Sequence, residues 1–216
     1  MQLIDTKEGA ETACYIFSIQ SPKQKKFIIQ KLQPKFQQIL DDQNARLILQ
    51  FCPLFVDDVV FVKNTFIEHL KNNMSKVLGN PHLITIILLL LSQLERVQKE
   101  KTCTGCTDEL LINVIHRALT ISVCKKMVEL RQEELRKLIV PVLVEYLTAD
   151  KSTELLLTKT VFKEVFTQII NDMDQEIVIQ ILKKQVDGES IMLHNIGHFN
   201  LKNAIKALNK TTKAKM

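Results

Sequence analysis

From residue 5 onward the apolar positions of this chain fall three and four apart, the spacing that gathers them on one side of an α-helix. Residues 5–19 form the first such segment, with Ala10, Ala13, Cys14 and Phe17 inward. Ser21-Pro22 starts a second helix, because serine caps free amide N–H groups and proline is pre-set for a first turn. Its predicted apolar face is Phe27, Ile28, Leu32, Phe36 and Ile39, and Pro34 kinks it or ends its first part. Asp41-Asp42 caps a third helix over 43–51, with Leu47, Ile48 and Phe51 inward and Pro53 closing it. Asp57-Asp58 opens a fourth, with Val60, Val62, Phe66, Ile67 and Leu70 inward. Gly79-Asn80-Pro81 then restarts the chain into LITIILLLLSQL, Leu83 to Leu94, its most apolar run. A membrane span needs about 20 apolar residues, roughly twice this run, so a helix buried on all sides is expected.

Glu95 to Gly105 is polar and reads as an exposed connection. Thr107-Asp108-Glu109 caps the next helix, whose apolar face is Leu110, Leu111, Val114, Ile115 and Leu119. Ser122 to Leu130 either continues or breaks that helix. Glu133 to Leu147 is amphipathic and bent at Pro141; 155–170, 175–184 and 198–208 give three more helices. The starts near Lys7, Gln43 and Pro81 are 36 and 38 positions apart, and each interval holds one longer, more charged helix. A fixed period with two helices per unit predicts an all-α fold of the α-solenoid kind. The alternative is one central helix in a compact bundle.

Composition agrees with helices throughout: of 216 residues, 46% are hydrophobic, with five Gly, five Pro and no Trp. No basic region followed by a long apolar core opens the chain, so a secretory signal is not expected. Cys14, Cys52, Cys103, Cys106 and Cys124 are odd in number, which suits a reducing compartment, cytosol or nucleus. The net charge of +5 has a location: after Glu189 there is no acid, and Lys202, Lys206, Lys210, Lys213 and Lys215 follow. Such an end suits phosphate backbones, or is a solvated helix and tail.

Few motifs suggest site chemistry. Cys103 and Cys106 have the spacing of half a zinc site without the second pair a structural site needs, so no metal or cofactor is expected. His194 and His198 are four apart, but Asn195 stands where a zinc protease carries its Glu base. With no phosphate-cradling Gly loop, nucleophile elbow or paired carboxylates, an enzyme is not expected.

DTKEGAETACYIFSIQSPKQKKFIIQKL nevertheless resembles the handover between repeats in the nucleolar pumilio-like (Puf-A/penguin) family. The likeness continues through DDQNARLIL and FVDD. EELRKLIVPVLVEYL is similar to the opening of that family's CPL domain, and HNIGHFNLK to its His-Gly-His stretch, here His194, Gly197, His198, Leu201 and Lys202. The resemblance implies a superhelical array of Puf-like repeats over 1–95, an exposed connection over 96–106, and a CPL-like domain with basic tail over 107–216. It also implies RNA binding, or DNA binding, with little sequence preference. The family works in the nucleus, in the nucleolus, on pre-ribosomal particles and pre-rRNA processing, and some members restrain translation of particular mRNAs. Against that pattern, this chain opens inside a repeat and stops soon after the His-Gly-His stretch; it reads as a fragment, a truncated product or a reduced member.

Base-reading pumilio repeats use three side chains of one helix, here Ala10, Glu11, Cys14; Ala45, Arg46, Leu49; and Ile84, Thr85, Leu88. None supplies the Asn or Ser with Gln or Glu that a base edge requires. The expectation is therefore phosphate-led, salt-sensitive binding through Lys23, Lys25, Lys26, Arg46, Lys202, Lys206, Lys210 and Lys213. The alternative is a helical protein-binding scaffold without nucleic-acid contact. No membrane partner is expected.

Overall fold

Thr6 caps helix α1 (Lys7–Ile19), its hydroxyl accepting from the Gly9 amide at 3.1 Å. Gly9 lies so close under the preceding turn that a methyl group would sit 1.7 Å from the Leu3 carbonyl oxygen, so no side chain fits. Ser21 caps α2 (Pro22–Leu32) reciprocally. The Gln24 amide donates to Ser21 Oγ, and the Ser21 amide donates to Gln24 Oε1. Ser21→Ala is expected to cost about 1 kcal/mol, read as a lower urea midpoint with unchanged slope. Pro34 ends α2 in a 3₁₀ turn, Gln33–Lys35, before α3 (Phe36–Asp41).

Asp42 accepts the amides of Asn44 and Ala45 at 2.9 and 2.7 Å. That turn delays α4 to Arg46–Phe51, and Pro53 sits in a 3₁₀ turn, Cys52–Phe55. Asp58 caps α5 (Val59–Val62) by accepting from the Phe61 amide at 2.9 Å. The expected fourth helix then widens into a π turn, Lys63–Ile67, before α6 (Glu68–Asn72) and α7 (Met74–Gly79). Asn80 accepts the amides of His82 and Leu83, and α8 (Ile84–Leu91) follows with all eight residues buried. The helix enclosed on every side is there. After α9 (Glu109–Ile121) the chain leaves the helical path at Ser122 and returns to it in α10 (Val128–Thr148).

The computed structural model describes residues 3–80, 82–91 and 109–148, and singly Val165, Ile169, Glu176, Val178, Ile179, Lys202, Ile205 and Lys206. Among these no strand occurs. The connection over 96–106, the three helices expected after residue 150 (but for those single positions), Cys103, Cys106, His194 and His198 lie outside the described residues. Among the described residues no helix is long and apolar enough to cross a membrane.

The paired helices stack. α1, α4 and α8 lie side by side as one row. Alongside, α3 meets the π turn and α6, where the Phe36 ring touches Phe66 edge-on at 5.5 Å and stacks on His69 at 5.0 Å. α9 lies against α1 and α4, and α10 runs along α8. The described residues after 107 therefore share one core with those before 95. α10 is further tied down by Lys71 with Glu145, at 2.7 Å.

Three features differ from the expected pattern. Phe27 is 57% exposed and Val60 69% exposed, although both were placed inward. The buried positions of α2 are Lys25 and Ile29, with Ile28 and Leu32 half-buried, one stripe at helical spacing that leaves Phe27 outside. The α5 stripe is Val62, Phe66, Ile67 and Leu70, carried across the π turn, and Val60 lies off it. Finally, α10 begins five residues before Glu133, because its inward stripe opens with Arg131 and Gln132, which no hydrophobic pattern marks. The helix continues through Pro141, which is exposed, so the backbone bond it forfeits lies on the solvent side.

Candidate nucleic-acid interface

The positions matched to base-reading side chains are packed away. Ala10, Cys14, Ala45, Leu49, Ile84, Thr85 and Leu88 are buried, while Glu11 and Arg46 are half-buried. Besides lacking base-edge chemistry, these helices turn those positions into the core. These positions therefore offer no base-reading surface.

Residues 21–40 contain five lysines and no acid. The fold sorts the five. Lys25 is a correction to the expected phosphate contacts: it is only 3% exposed, and its Nζ donates to Cys124 Sγ at 3.3 Å and lies 5.9 Å from the Phe17 ring centroid. Its aliphatic stem fills an inward position that the sequence pattern reserves for an apolar residue. Lys26 is engaged by an ion pair with Asp58 and lies over the Phe61 ring at 5.4 Å. The Lys26 bond and the Phe61 amide hold the Asp58 carboxyl below its ordinary range. Lys23, Lys31 and Lys35 are exposed, and among the described residues none is paired with an acid. Lys31 Nζ stands 5.3 Å from the centroid of the exposed Phe27 ring.

Lys31, Lys35 and Phe27 were not among the expected site residues. The acid-free run was the signal that could have found the two lysines; nothing in the pattern marked Phe27 as outward. Lys202 and Lys206 are exposed helical residues; Lys210 and Lys213 lie outside the described residues.

Beside α2 a cavity of about 240 Å³ is lined by Pro22, Lys25, Lys26, Asp57, Asp58, Val123 and Cys124, among others. Its polar groups are already engaged with one another or with neighbouring residues. The Cys124 thiol donates to the Phe55 carbonyl oxygen at 3.2 Å. Asp57 accepts the Lys125 amide at 2.7 Å, the Lys126 amide at 3.4 Å and Arg131 Nη1 at 2.7 Å. Burial pushes the Asp57 carboxyl up, but these three donors outweigh it and leave it below the usual carboxylate value. Burial also raises the Cys14 and Cys52 thiols, which keeps both neutral and unreactive, as small core residues. Among the described residues no cluster could hold a metal ion.

Comparison with known proteins decides the architecture. The chain superposes on a crystal structure of human Puf-A over 99% of its length, with a TM-score of 0.77 and 21% identity. This chain has the Puf-A fold. A second human Puf-A structure, in complex with DNA, matches 98% of the chain with a TM-score of 0.65 and 17% identity. Human Pumilio homolog 3 is 24% identical over 158 residues, 73% of this chain. No family model matches. The chain spans 42% and 51% of the two Puf-A chains and 23% of Pumilio homolog 3. The pumilio-like resemblance read from the sequence and the helical-repeat fold thus agree with both comparisons.

Proposed function

We propose that the chain binds RNA through its sugar-phosphate backbone, with little sequence preference, as a Puf-A-type protein of nucleolar ribosome biogenesis. The observation that carries this is the outer side of α2 and the 3₁₀ turn after it: Lys23, Lys31 and Lys35 exposed and without acidic partners among the described residues, within a run free of acids. Burial of the base-reading positions supports backbone contact over base readout. The likeness to a Puf-A structure described in complex with DNA supports a nucleic-acid partner of the same kind.

Affinity is expected to fall as salt rises. The contacts of Lys23, Lys31 and Lys35 alone give a log–log slope of about −2 on a single strand, and contacts from Lys202 and Lys206 steepen it. The measurement is fluorescence anisotropy of labelled RNA across a salt series; weak binding at low salt, or indifference to salt, sinks the reading. Charge reversal at Lys202 and Lys206 should weaken all RNA sequences alike, and selective loss of one sequence would contradict backbone contact.

A protein-binding scaffold is the second reading. It is favoured by exposed Ile19, Ile121 and Val123, gathered where the Val123 amide donates to the Ser18 carbonyl oxygen at 3.5 Å. Partners that survive nuclease treatment of an extract would select it.

A further inference from the structure

We propose that Phe27 is a stacking platform for an unpaired base, so that α2 favours single-stranded over duplex nucleic acid. This rests on the phosphate-contact reading and adds the substrate class. A singly exposed apolar residue is ordinary on a protein surface. Phe27 differs in its surroundings. It lies four residues from Lys23 and four from Lys31, so the three share one side of α2. More than half of its surface is in water, and Lys31 Nζ stands over the ring.

This is the combination that single-strand binders use: an aromatic face that any base can cover, flanked by cations that hold the backbone. Each lysine stems from a position about 6 Å along the axis from Phe27. In a duplex the base faces are already occupied by their neighbours, and only the phosphates remain available. The same lysines can then bind a duplex, but Phe27 gains nothing from it.

The chain has no Trp, so Phe27→Trp places the only indole at this position. The probes are an oligouridine strand and the same strand annealed to its oligoadenosine complement. Saturation with the single strand should quench the indole emission, and saturation with the duplex should leave it nearly unchanged. Phe27→Ala should weaken the single strand about tenfold, leave duplex affinity within twofold, and keep the salt slope. Circular dichroism of both variants should match the parent, since the side chain is outside the core. Unquenched emission at single-strand saturation, or equal losses on both probes, overturns the platform while leaving backbone binding in place. If the parent protein binds neither probe in a salt-sensitive way, the phosphate-contact reading itself fails, and the platform with it.

Discussion

Asp57→Ala should be the most damaging single substitution outside the apolar core, costing about 3–5 kcal/mol. Asp57 joins the chain before α5 to the start of α10. Its carboxylate takes the Lys125 and Lys126 amides and the guanidinium of Arg131, whose side chain is 2% exposed. Arg131 Nη1 also donates to the Lys126 carbonyl oxygen at 3.0 Å, while its buried Nε has no partner among the described residues. Removing Asp57 leaves a buried cation without its counter-charge, and the guanidinium cannot discharge itself by losing a proton. Asp57→Asn keeps an acceptor for the amides and should lose less, about 1.5–3 kcal/mol. The measurement is urea unfolding followed by circular dichroism. An alanine variant within about 1 kcal/mol of the parent would show that the pair is not coupled to folding.

The same node sets a pH dependence. The folded carboxyl lies below its ordinary value. Its stabilising contribution is therefore complete above the unfolded value of about 4, and is lost as pH falls through the lower folded value. Asp57→Asn should flatten that acid limb.

Joint reversal of Lys23, Lys31 and Lys35 to Glu should reduce RNA affinity about 100-fold at 0.1 M salt, near 2.7 kcal/mol. Three exposed cations are replaced by three anions, on a surface where none is needed for an ion pair among the described residues. Unfolding stability should hardly change. By contrast, Lys25→Glu puts an acid into the core beside Cys124 and Phe17, and should damage folding before binding. If reversing Lys23, Lys31 and Lys35 leaves RNA affinity intact, the interface is not on α2 and the turn that follows it.

Caps, proline stops and the run from Leu83 to Leu91 were legible in the sequence because each acts within a few residues: Ser21 with Gln24, Asp58 with Phe61, Asn80 with Leu83. An unbroken apolar stretch can only be enclosed, and α8 is. From these local rules the sequence alone determined helices over most of the described residues, and its period predicted their stacking in pairs against a compact-bundle alternative that the tertiary contacts decided. Which side of α2 faces inward was decided by the tertiary structure, through the choice of Lys25 over Phe27. The start of α10 was decided in the same way, by burial of Arg131. In both cases a cation occupies a core position because a distant residue receives it: Cys124 is 99 positions from Lys25, and Asp57 is 74 from Arg131. Periodicity weighs a residue by its own hydrophobicity and cannot see such partners, so a buried cation reads as surface until the fold brings its acceptor to it.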